Sequence, residues 1–488
     1  MELFMTAESL SNTLATAFAN FSDYLYTYVL IALLIGTGLY FTIRTGGVQF
    51  REFGQMIRGI FSSRNKDGDN ISSFQAFAIG LASRVGTGNI AGVAIALVAG
   101  GPGAIFWMWL VALVGMATAF VEATLAQLFK IRWHDGTFRG GPAFYIQKGL
   151  GSRTWGAIFA VILIFTFGVS FEMAQANTIA GTFESNFNVP TWATALVLVI
   201  ISAPIVFGGI KRVAKVTEWL APAMALVYIA IALVVIVMNY DQIIPVFKLI
   251  IASAFNLQSG VAGTAGGMLA AMLNGARRGL FSNEAGMGSA PNAASTAQVT
   301  HPAKQGFIQS IGVFVDTMLV CSATAFIVLN AAPDVFTPGA EPSEKGASLT
   351  IAAAQSQLGD WIGTVMVVLI FVFAFSSIIG NYTYAQVNFD FLTGGKAWGE
   401  YALRTAVLAS IAIGSLASLD AVWNFADITM GGMALINLVA ILLLGKWSIG
   451  ALKDYRTNPQ RPFVATNNPN MPSELPTDVW IDRENPLA

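Results

Sequence analysis

Hydrophobic positions along this chain are grouped into long runs that are separated by short polar loops. A helix needs about 20 apolar residues to cross roughly 30 Å of hydrocarbon. The runs that approach this length predict about eleven membrane-spanning helices. The predicted spans are 24–44, 74–98, 104–129, 155–180, 192–210, 216–238, 260–294, 307–329, 361–387, 401–416 and 421–444.

Two of these runs are interrupted near their middle by glycines and polar residues. The second contains GLASRVGTGNIAG (residues 80–92), and the seventh contains GLFSNEAGMGSAP (residues 279–291). Glycine costs about 1 kcal/mol in a helix interior, and unwound backbone at membrane depth is tolerated only in protein or beside a watery cavity. Close helix packing explains a small residue such as Gly92. It does not explain Arg84 and Glu284, because intramembrane charges are costly and usually mark a site.

The two interrupted runs lie five spans apart, so they cross the membrane in opposite directions. Two broken helices in corresponding positions of two antiparallel halves indicate an inverted-repeat transporter with its binding site at the midplane. The free N–H groups of residues 86–89 suit a substrate carboxylate. The free carbonyls of residues 81–85 suit a hard cation, which prefers oxygen ligands.

Composition supports a membrane protein and excludes several other classes. Of 488 residues, 55% are hydrophobic and 11% are charged, whereas soluble domains average about 25% charged residues. The net charge of −1 and the single Cys321 give no sign of a nucleic-acid partner or of an intramolecular disulfide. His134 and His301 are the only histidines, and GxxxxGK[ST] does not occur. No zinc, nucleophile or nucleotide site is expected, and the chain is not expected to be an enzyme or to need a cofactor.

Lysine and arginine are concentrated in alternate loops, which predicts the orientation. The loops after spans 1, 3, 5, 9 and 11 are basic, whereas the loop ESNFNVP has no basic residue and residues 330–360 contain only Lys345. This pattern places the N-terminus outside and the C-terminus in the cytoplasm. The opening MELFMTAESLSN has no basic cluster and is not expected to be a cleaved signal peptide.

Two segments outside the spans have patterns of their own. Residues 49–61 have apolar and basic positions at helical spacing, which favours a helix in the inner membrane interface, with a regulatory element as the alternative. The stretch from about Asn458, NPQRPFVATNNPNMPSELPTDVW, is rich in Pro and Asn. It is expected to be an irregular cytoplasmic extension.

Four motifs resemble those of the alanine or glycine:cation symporter family (sodium/alanine symporters) of prokaryotes. They are VGTGNIAGVA, GGPAFYIQKGLG, QANTIAGTF and RGLFSNEAGMGSAP. The resemblance implies an all-α polytopic protein with the leucine-transporter fold, five-plus-five inverted repeats after one extra helix, in a prokaryotic cell membrane. It also implies alanine, glycine or a similar small amino acid as substrate, with Na⁺ as the coupling ion.

The resemblance assigns the candidate site residue by residue. The substrate-binding candidates are Arg84, Gly86, Thr87, Gly88, Asn89, Gln175, Asn177, Phe281, Ser282, Asn283 and Asn381. The sodium candidates are Ala82, Val85, Ser376 and Ser377. Without the fold that the resemblance implies, it is an equally good interpretation that the two serine hydroxyls bond to carbonyls of their own helix.

Two positions depart from the family's usual pattern. Arg84 stands where members typically have Thr, and Asn381 stands where a Trp normally lines the pocket. Three roles are open for Arg84. It replaces the charge of one sodium ion, it pairs with Glu172 or Glu122, or it binds the substrate carboxylate. Asn381 is expected to make the pocket roomier and more polar. For the intramembrane acids Glu122, Glu172, Asp316 and Asp427, pairing with Arg84, Arg277 or Arg278 is expected, and a proton relay is the alternative.

The sequence thus predicts five segments: an extra helix and interfacial segment (1–72), helices 1–4 of the first repeat (73–210), its fifth helix and an outer loop (211–259), the second repeat (260–445) and a cytoplasmic tail (446–488). The predicted function is Na⁺-coupled uptake of a small neutral amino acid by alternating access. A proton-coupled carrier, or an uncoupled facilitator or channel of the same fold, is the alternative. A transport-dead sensor is a third possibility.

Overall fold

The computed structural model describes residues 21–62, 71–255 and 267–481. Its helices, in chain order, are α1 Phe21–Arg44, α2 Val48–Arg51, α3 Phe53–Ser62, α4 Ser73–Arg84, α5 Gly88–Gly100, α6 Gly103–Leu128, α7 Pro142–Gly149, α8 Arg153–Phe187, α9 Thr191–Val206, α10 Gly209–Met238, α11 Ile243–Ala254, α12 Gly267–Asn283, α13 Ala290–Thr296, α14 Pro302–Leu329, α15 Ala347–Leu358, α16 Trp361–Thr393, α17 Ala397–Leu416 and α18 Leu419–Thr457. A 3₁₀ turn lies at Tyr240–Gln242, and π-helical turns lie at Tyr26–Leu30, Gly88–Gly92, Thr166–Ser170 and Phe314–Cys321.

The chain is a helical, multi-pass membrane protein, as the hydrophobic pattern predicts. In the described ranges, seven helices are long and apolar enough to cross a membrane, and the bent pair α4–α5 makes an eighth. The remaining predicted spans coincide with the shorter apolar helix α9, the broken pair α12–α13 and the more polar helix α17. The predicted start of the seventh span, residue 260, lies outside the described residues.

Several features differ from the predicted pattern, among them the helices α7, α11 and α15, which lie outside the predicted spans. Helix α18 continues to Thr457, thirteen residues past the predicted end of the last span at residue 444. A short antiparallel hairpin, β1 (Ile131–Arg132) and β2 (Phe138–Arg139), follows α6. Two-residue strands leave no alternating pattern that a sequence reading can detect.

The broken span begins at a well-defined helix start. Ser72 accepts a hydrogen bond from the Gln75 N–H, and the Gln75 side chain accepts one from the Ser72 N–H. This reciprocal pair fixes the first turn of α4. At the other end of α4, Gly380 of α16 lies so close that an added Cβ would be 2.8 Å from the Ser83 nitrogen. Helix α16 is thereby placed directly against the break in the span.

Helix α3 coincides with the segment predicted to lie in the membrane interface. Phe61 near its end is 74% exposed, which fits an apolar side chain that faces lipid. Residues 458–481 contain neither helix nor strand, which agrees with the irregular extension predicted there. Several of their side chains are nevertheless buried, as described below.

Candidate functional site

The first break separates α4 from α5, whose axes differ in direction by 47°. Two backbone N–H groups at the break are bonded by side chains: the Gly86 N–H donates to Asn89 Oδ1 (2.9 Å), and the Thr87 N–H donates to Gln175 Oε1 (3.2 Å). A Cβ on Gly86 would lie 2.1 Å from Ser377 Oγ, and one on Gly88 would lie 2.8 Å from the Phe281 ring. A side chain at either position would therefore displace its neighbours, which favours glycine there.

The second break separates α12 from α13. Three residues between the helices have positive φ, namely Glu284 (59°), Gly286 (91°) and Gly288 (80°). A non-glycine residue rarely adopts this conformation, and Glu284 is held in it by bonds on both sides. Its carboxylate accepts from Ser289 Oγ at 2.6 Å and from Ser83 Oγ at 2.8 Å. The Ser83 contact joins the second break directly to the first.

A buried polar cluster joins the two breaks a second time. The Asn89 amide donates to Ser282 Oγ (2.9 Å) and to Asp316 Oδ1 (2.6 Å). The hydroxyls of Ser282 and Thr317 donate to Asp316 Oδ2 at 2.7 and 2.8 Å. The amide of Asn283 approaches Thr317 Oγ1 at 3.3 Å. The predicted residues Asn89 and Ser282 therefore bind one carboxylate that was not predicted as part of the site, and Asn283 is connected to it through Thr317.

Asp316 lies in the π-helical turn Phe314–Cys321 of α14, and such turns are frequent at functional sites. We expected it to pair with an arginine, and this expectation is wrong for the described residues. Its contacts are amides and hydroxyls, with no ion pair within 4.0 Å. The sequence did contain a signal for Asp316 as part of the site. It is an acidic residue in the middle of an apolar span, and no basic residue lies one turn away.

The expected pairing holds for one of the other intramembrane acids. Asp427 forms a buried ion pair with Arg278. Glu122 instead accepts from the Asn437 amide at 2.8 Å. Glu172 is fully buried, and both of its carboxylate oxygens lack a hydrogen-bond partner among the described residues.

The predicted sodium residues come together on the other side of the first break. Ser377 Oγ donates to the Ala82 carbonyl at 2.9 Å, and Ser376 Oγ approaches it at 3.4 Å. Both hydroxyls also contact the carbonyl of Phe373, which is the local bonding considered as the alternative. The arrangement supplies buried carbonyl and hydroxyl oxygens, the ligand type that hard cations prefer. Val85, which directly follows α4, is also buried.

Arg84 is buried, and its guanidinium points toward α14. Nη1 donates to the Gln309 carbonyl at 3.2 Å, and a Cβ on Gly312 would lie 2.5 Å from the same atom. In the described part of the chain Arg84 has no carboxylate within 4.0 Å. The expected ion pair with Glu122 or Glu172 is therefore not formed among the described residues, and the guanidinium contacts α14 instead.

The predicted α8 residues separate. Gln175 reaches the first break, whereas the Asn177 amide donates to the carbonyls of Gly414 (3.1 Å) and Ala417 (2.6 Å) at the end of α17. Asn177 also lines a cavity of about 450 Å³ beside that helix end. Asn177 thus lies next to the site and does not contact the break.

Besides Arg84 Nε, two further unpaired polar atoms near the first break belong to Asn381 and Thr87. Asn381 Oδ1 lies 2.7 Å from Ser83 Oγ, whose single proton is donated to Glu284, and the buried Asn381 Nδ2 has no partner among the described residues. The buried Thr87 hydroxyl also lacks one in the same part of the structure. Unpaired buried groups are costly, so these two atoms are available to a bound ligand.

Aromatic rings cover one side of the site. Phe281 stacks on Phe171 with ring centroids 4.4 Å apart and contacts Trp423 at 4.6 Å. The Arg278 guanidinium lies 4.7 Å from the Trp423 ring and pairs with Asp427. These groups lie on the α12 side of the second break, which the charge pattern predicts to face outward.

The family model and the relatives described next are all amino-acid carriers or symporters. A model described as the sodium:alanine symporter family matches residues 11–466. The amino-acid carrier protein AlsT of Bacillus subtilis (strain 168) is 47% identical over 468 residues, 95% of this chain and 97% of that protein. The probable sodium/glutamine symporter GlnT of Bacillus subtilis (strain 168) is 45% identical, over 89% of each chain. The sodium/alanine symporter AgcS of Methanococcus maripaludis is 40% identical over 85% of this chain and 91% of its own.

Proposed function

We infer that this chain, which belongs to the sodium:alanine symporter family, moves a small neutral amino acid into the cell together with Na⁺. The observation that carries the proposal is the polar connection between two broken helices, in which Asn89 and Ser282 meet on Asp316. Alternating access about a midplane site of this kind is the mechanism expected of broken-helix carriers.

The substrate carboxylate is assigned to the N–H groups at Gly86 and Thr87. They lie at the start of α5, where the helix dipole is positive. Side chains of Asn89 and Gln175 occupy these donors in the structure, and a carboxylate would replace them. The ammonium group is assigned to the second break near Phe281, where carbonyls at the end of α12 lack helical partners.

Na⁺ is assigned to the oxygens around the Ala82 carbonyl, with Ser376, Ser377 and Val85 as the remaining members. A cation at this point binds the last turn of α4 and so fixes the backbone that the carboxylate needs. Binding of either ligand then favours binding of the other, which is the physical meaning of symport.

A substrate with a side-chain amide is the second candidate. The Asn381 amide with an unpaired Nδ2 can donate to a carbonyl oxygen, and one relative is described as a probable glutamine symporter. The departures at Arg84 and Asn381 therefore bear first on which amino acid and which ion stoichiometry this chain uses.

The proposed location is the cell membrane of a prokaryote, with the N-terminus outside and the C-terminus in the cytoplasm. The basic loops support this orientation. The orientation is tested with single cysteines in the loop before α9 and in residues 458–481. A membrane-impermeant reagent is applied to spheroplasts and to inside-out vesicles, which expose opposite sides of the membrane.

The test of function is uptake of radiolabelled alanine, glycine, serine and glutamine into proteoliposomes that contain the purified full-length chain. We expect accumulation above equilibrium only when a Na⁺ gradient is imposed. Equal accumulation in choline that disappears with a protonophore would replace Na⁺ with H⁺. Equilibration without accumulation would contradict symport and identify a facilitator.

A further inference from the structure

Residues 458–481, here called the tail segment, are anchored to the body of the protein. The Phe463 N–H donates to the Thr300 carbonyl at 2.9 Å, and within the tail segment the Ala465 N–H donates to the Trp480 carbonyl at 2.7 Å. Phe463 and Trp480 are both fully buried. A cytoplasmic extension that lies free in solvent would not bury its largest side chains.

Trp480 is inserted at the end of α6. Its indole Nε1–H donates to the Gln127 carbonyl at 2.8 Å. Its ring centroid lies 5.0 Å from the Lys130 nitrogen, which lies 4.0 Å from the Phe138 ring on another side. The indole and the β-hairpin therefore enclose the Lys130 side chain, whose exposure is 0%.

Gln127 and Lys130, which Trp480 contacts, also bind the end of α13. Lys130 Nζ donates to the Ala297 carbonyl at 2.8 Å, and Gln127 Nε2 donates to the same oxygen at 3.1 Å. Gln127 Nε2 also contacts the Ala294 carbonyl. Ala297 directly follows the last residue of α13, so these bonds satisfy carbonyls that a helix end leaves free.

Helix α13 is the half of the broken seventh span that lies beyond the second break. Ser289, just before it, binds Glu284 in that break, and the Gln298 N–H, just after it, donates to the Ile71 carbonyl at the start of α4. A helix of seven residues is too short to be stable by itself and is kept in place by its contacts. The contacts at its end are those that Trp480 supports.

We propose that Trp480 is a positioning residue for transport, through which the tail segment holds half-helix α13 in place by way of Gln127 and Lys130. This inference rests on the proposed function. In the predicted orientation α13 is on the cytoplasmic side, so a docked tail favours the arrangement in which the inner path is closed. Loss of the docking shifts the population toward states in which α13 has moved.

The experiment compares Trp480→Ala with Trp480→Phe in the full-length chain. Phe keeps a ring against Lys130 but loses the indole donor, and it should restore part of the wild-type behaviour. Trp398→Ala is the matched control, because Trp398 is 64% exposed and is remote in sequence from the tail. Two quantities are measured: hydrogen–deuterium exchange of peptides covering residues 290–298, and the KM and maximal rate of alanine uptake.

We expect faster exchange in residues 290–298 of Trp480→Ala, with residues 267–283 unchanged. If the outward-facing fraction falls about fivefold, the external KM rises about fivefold, while the maximal rate stays within about twofold. Unchanged exchange in a folded Trp480→Ala protein overturns the proposal. So does uniformly faster exchange in all helices, because Trp480 would then only stabilise the fold. If the wild type takes up no amino acid, the proposed function fails, yet the exchange measurement still tests the positioning of α13.

Discussion

Replacing Gly86 by Ala tests whether the first break and α16 share the proposed sodium site. The added Cβ would lie 2.1 Å from Ser377 Oγ and 3.1 Å from both Ser377 Cβ and Gln175 Oε1. Ordinary contact begins near 3.4 Å, so the Ser377 hydroxyl must withdraw by roughly 1.3 Å. That hydroxyl donates to the Ala82 carbonyl at 2.9 Å, and the withdrawal breaks this contact.

The expected magnitude follows from the size of the clash. Inserting a carbon into a well-packed interior costs about 1–3 kcal/mol. If the bound state bears this cost, the Na⁺ concentration for half-maximal uptake rises about 5- to 150-fold. The assay is alanine uptake into proteoliposomes as a function of Na⁺ concentration, with size-exclusion profiles to establish that each variant is folded.

Two comparisons make the test specific. Gly36→Ala is the matched control, since no atom lies within 4 Å of its Cβ position, and it should leave the Na⁺ curve unchanged. In a Ser377→Ala background the clashing oxygen is gone, so Gly86→Ala should have a smaller effect than in the wild type. Additive effects of the two changes, or a Gly86→Ala curve within twofold of wild type, would refute the reasoning.

Three further changes test other parts of the site. Thr87→Val keeps the side-chain shape but removes the buried, unpaired hydroxyl; we expect the KM for alanine to rise about tenfold, and unchanged uptake in a folded protein would remove Thr87 from the site. Arg84→Thr removes a buried cation that contacts α14. We expect altered Na⁺ dependence or substrate range, whereas kinetics equal to those of the wild type in both Na⁺ and choline buffers would make Arg84 structural. Asp316→Asn keeps the shape but replaces an acceptor of three donors; we expect uptake to fall at least tenfold, measured against the protein amount in each vesicle preparation.

The positions of both breaks could be predicted from the sequence because glycines and charges inside an apolar run are a strong local signal. It could also have been predicted that the side chains of Gln175 and Asn177 point to different places. Residues two apart on a helix point about 200° apart, so one helix cannot direct both side chains at one break. Gln175 faces the break and Asn177 faces the end of α17.

Other parts of the site depend on contacts that no local pattern contains. Asp316 meets Asn89 from 227 positions away, and Trp480 meets Gln127 from 353 positions away. The tail composition correctly indicated irregular backbone, but composition does not say whether an irregular segment packs. A buried indole with a satisfied N–H is a tertiary property.

The coupling of ion and amino acid in the proposed mechanism reduces to a few adjacent contacts. Residues 82–89 meet α16 at the Ala82 carbonyl, and they meet the second break and the end of α12 through two bridges, Ser83 to Glu284 and Asn89 to Ser282. A ligand that fixes this stretch therefore acts on the second break without any change far away in the protein. Because a ligand shifts an equilibrium only by its different affinity for the two states, coupling requires both ligands to prefer the arrangement with intact bridges. The factor by which Na⁺ raises the affinity for the amino acid must then equal the factor by which the amino acid raises the affinity for Na⁺.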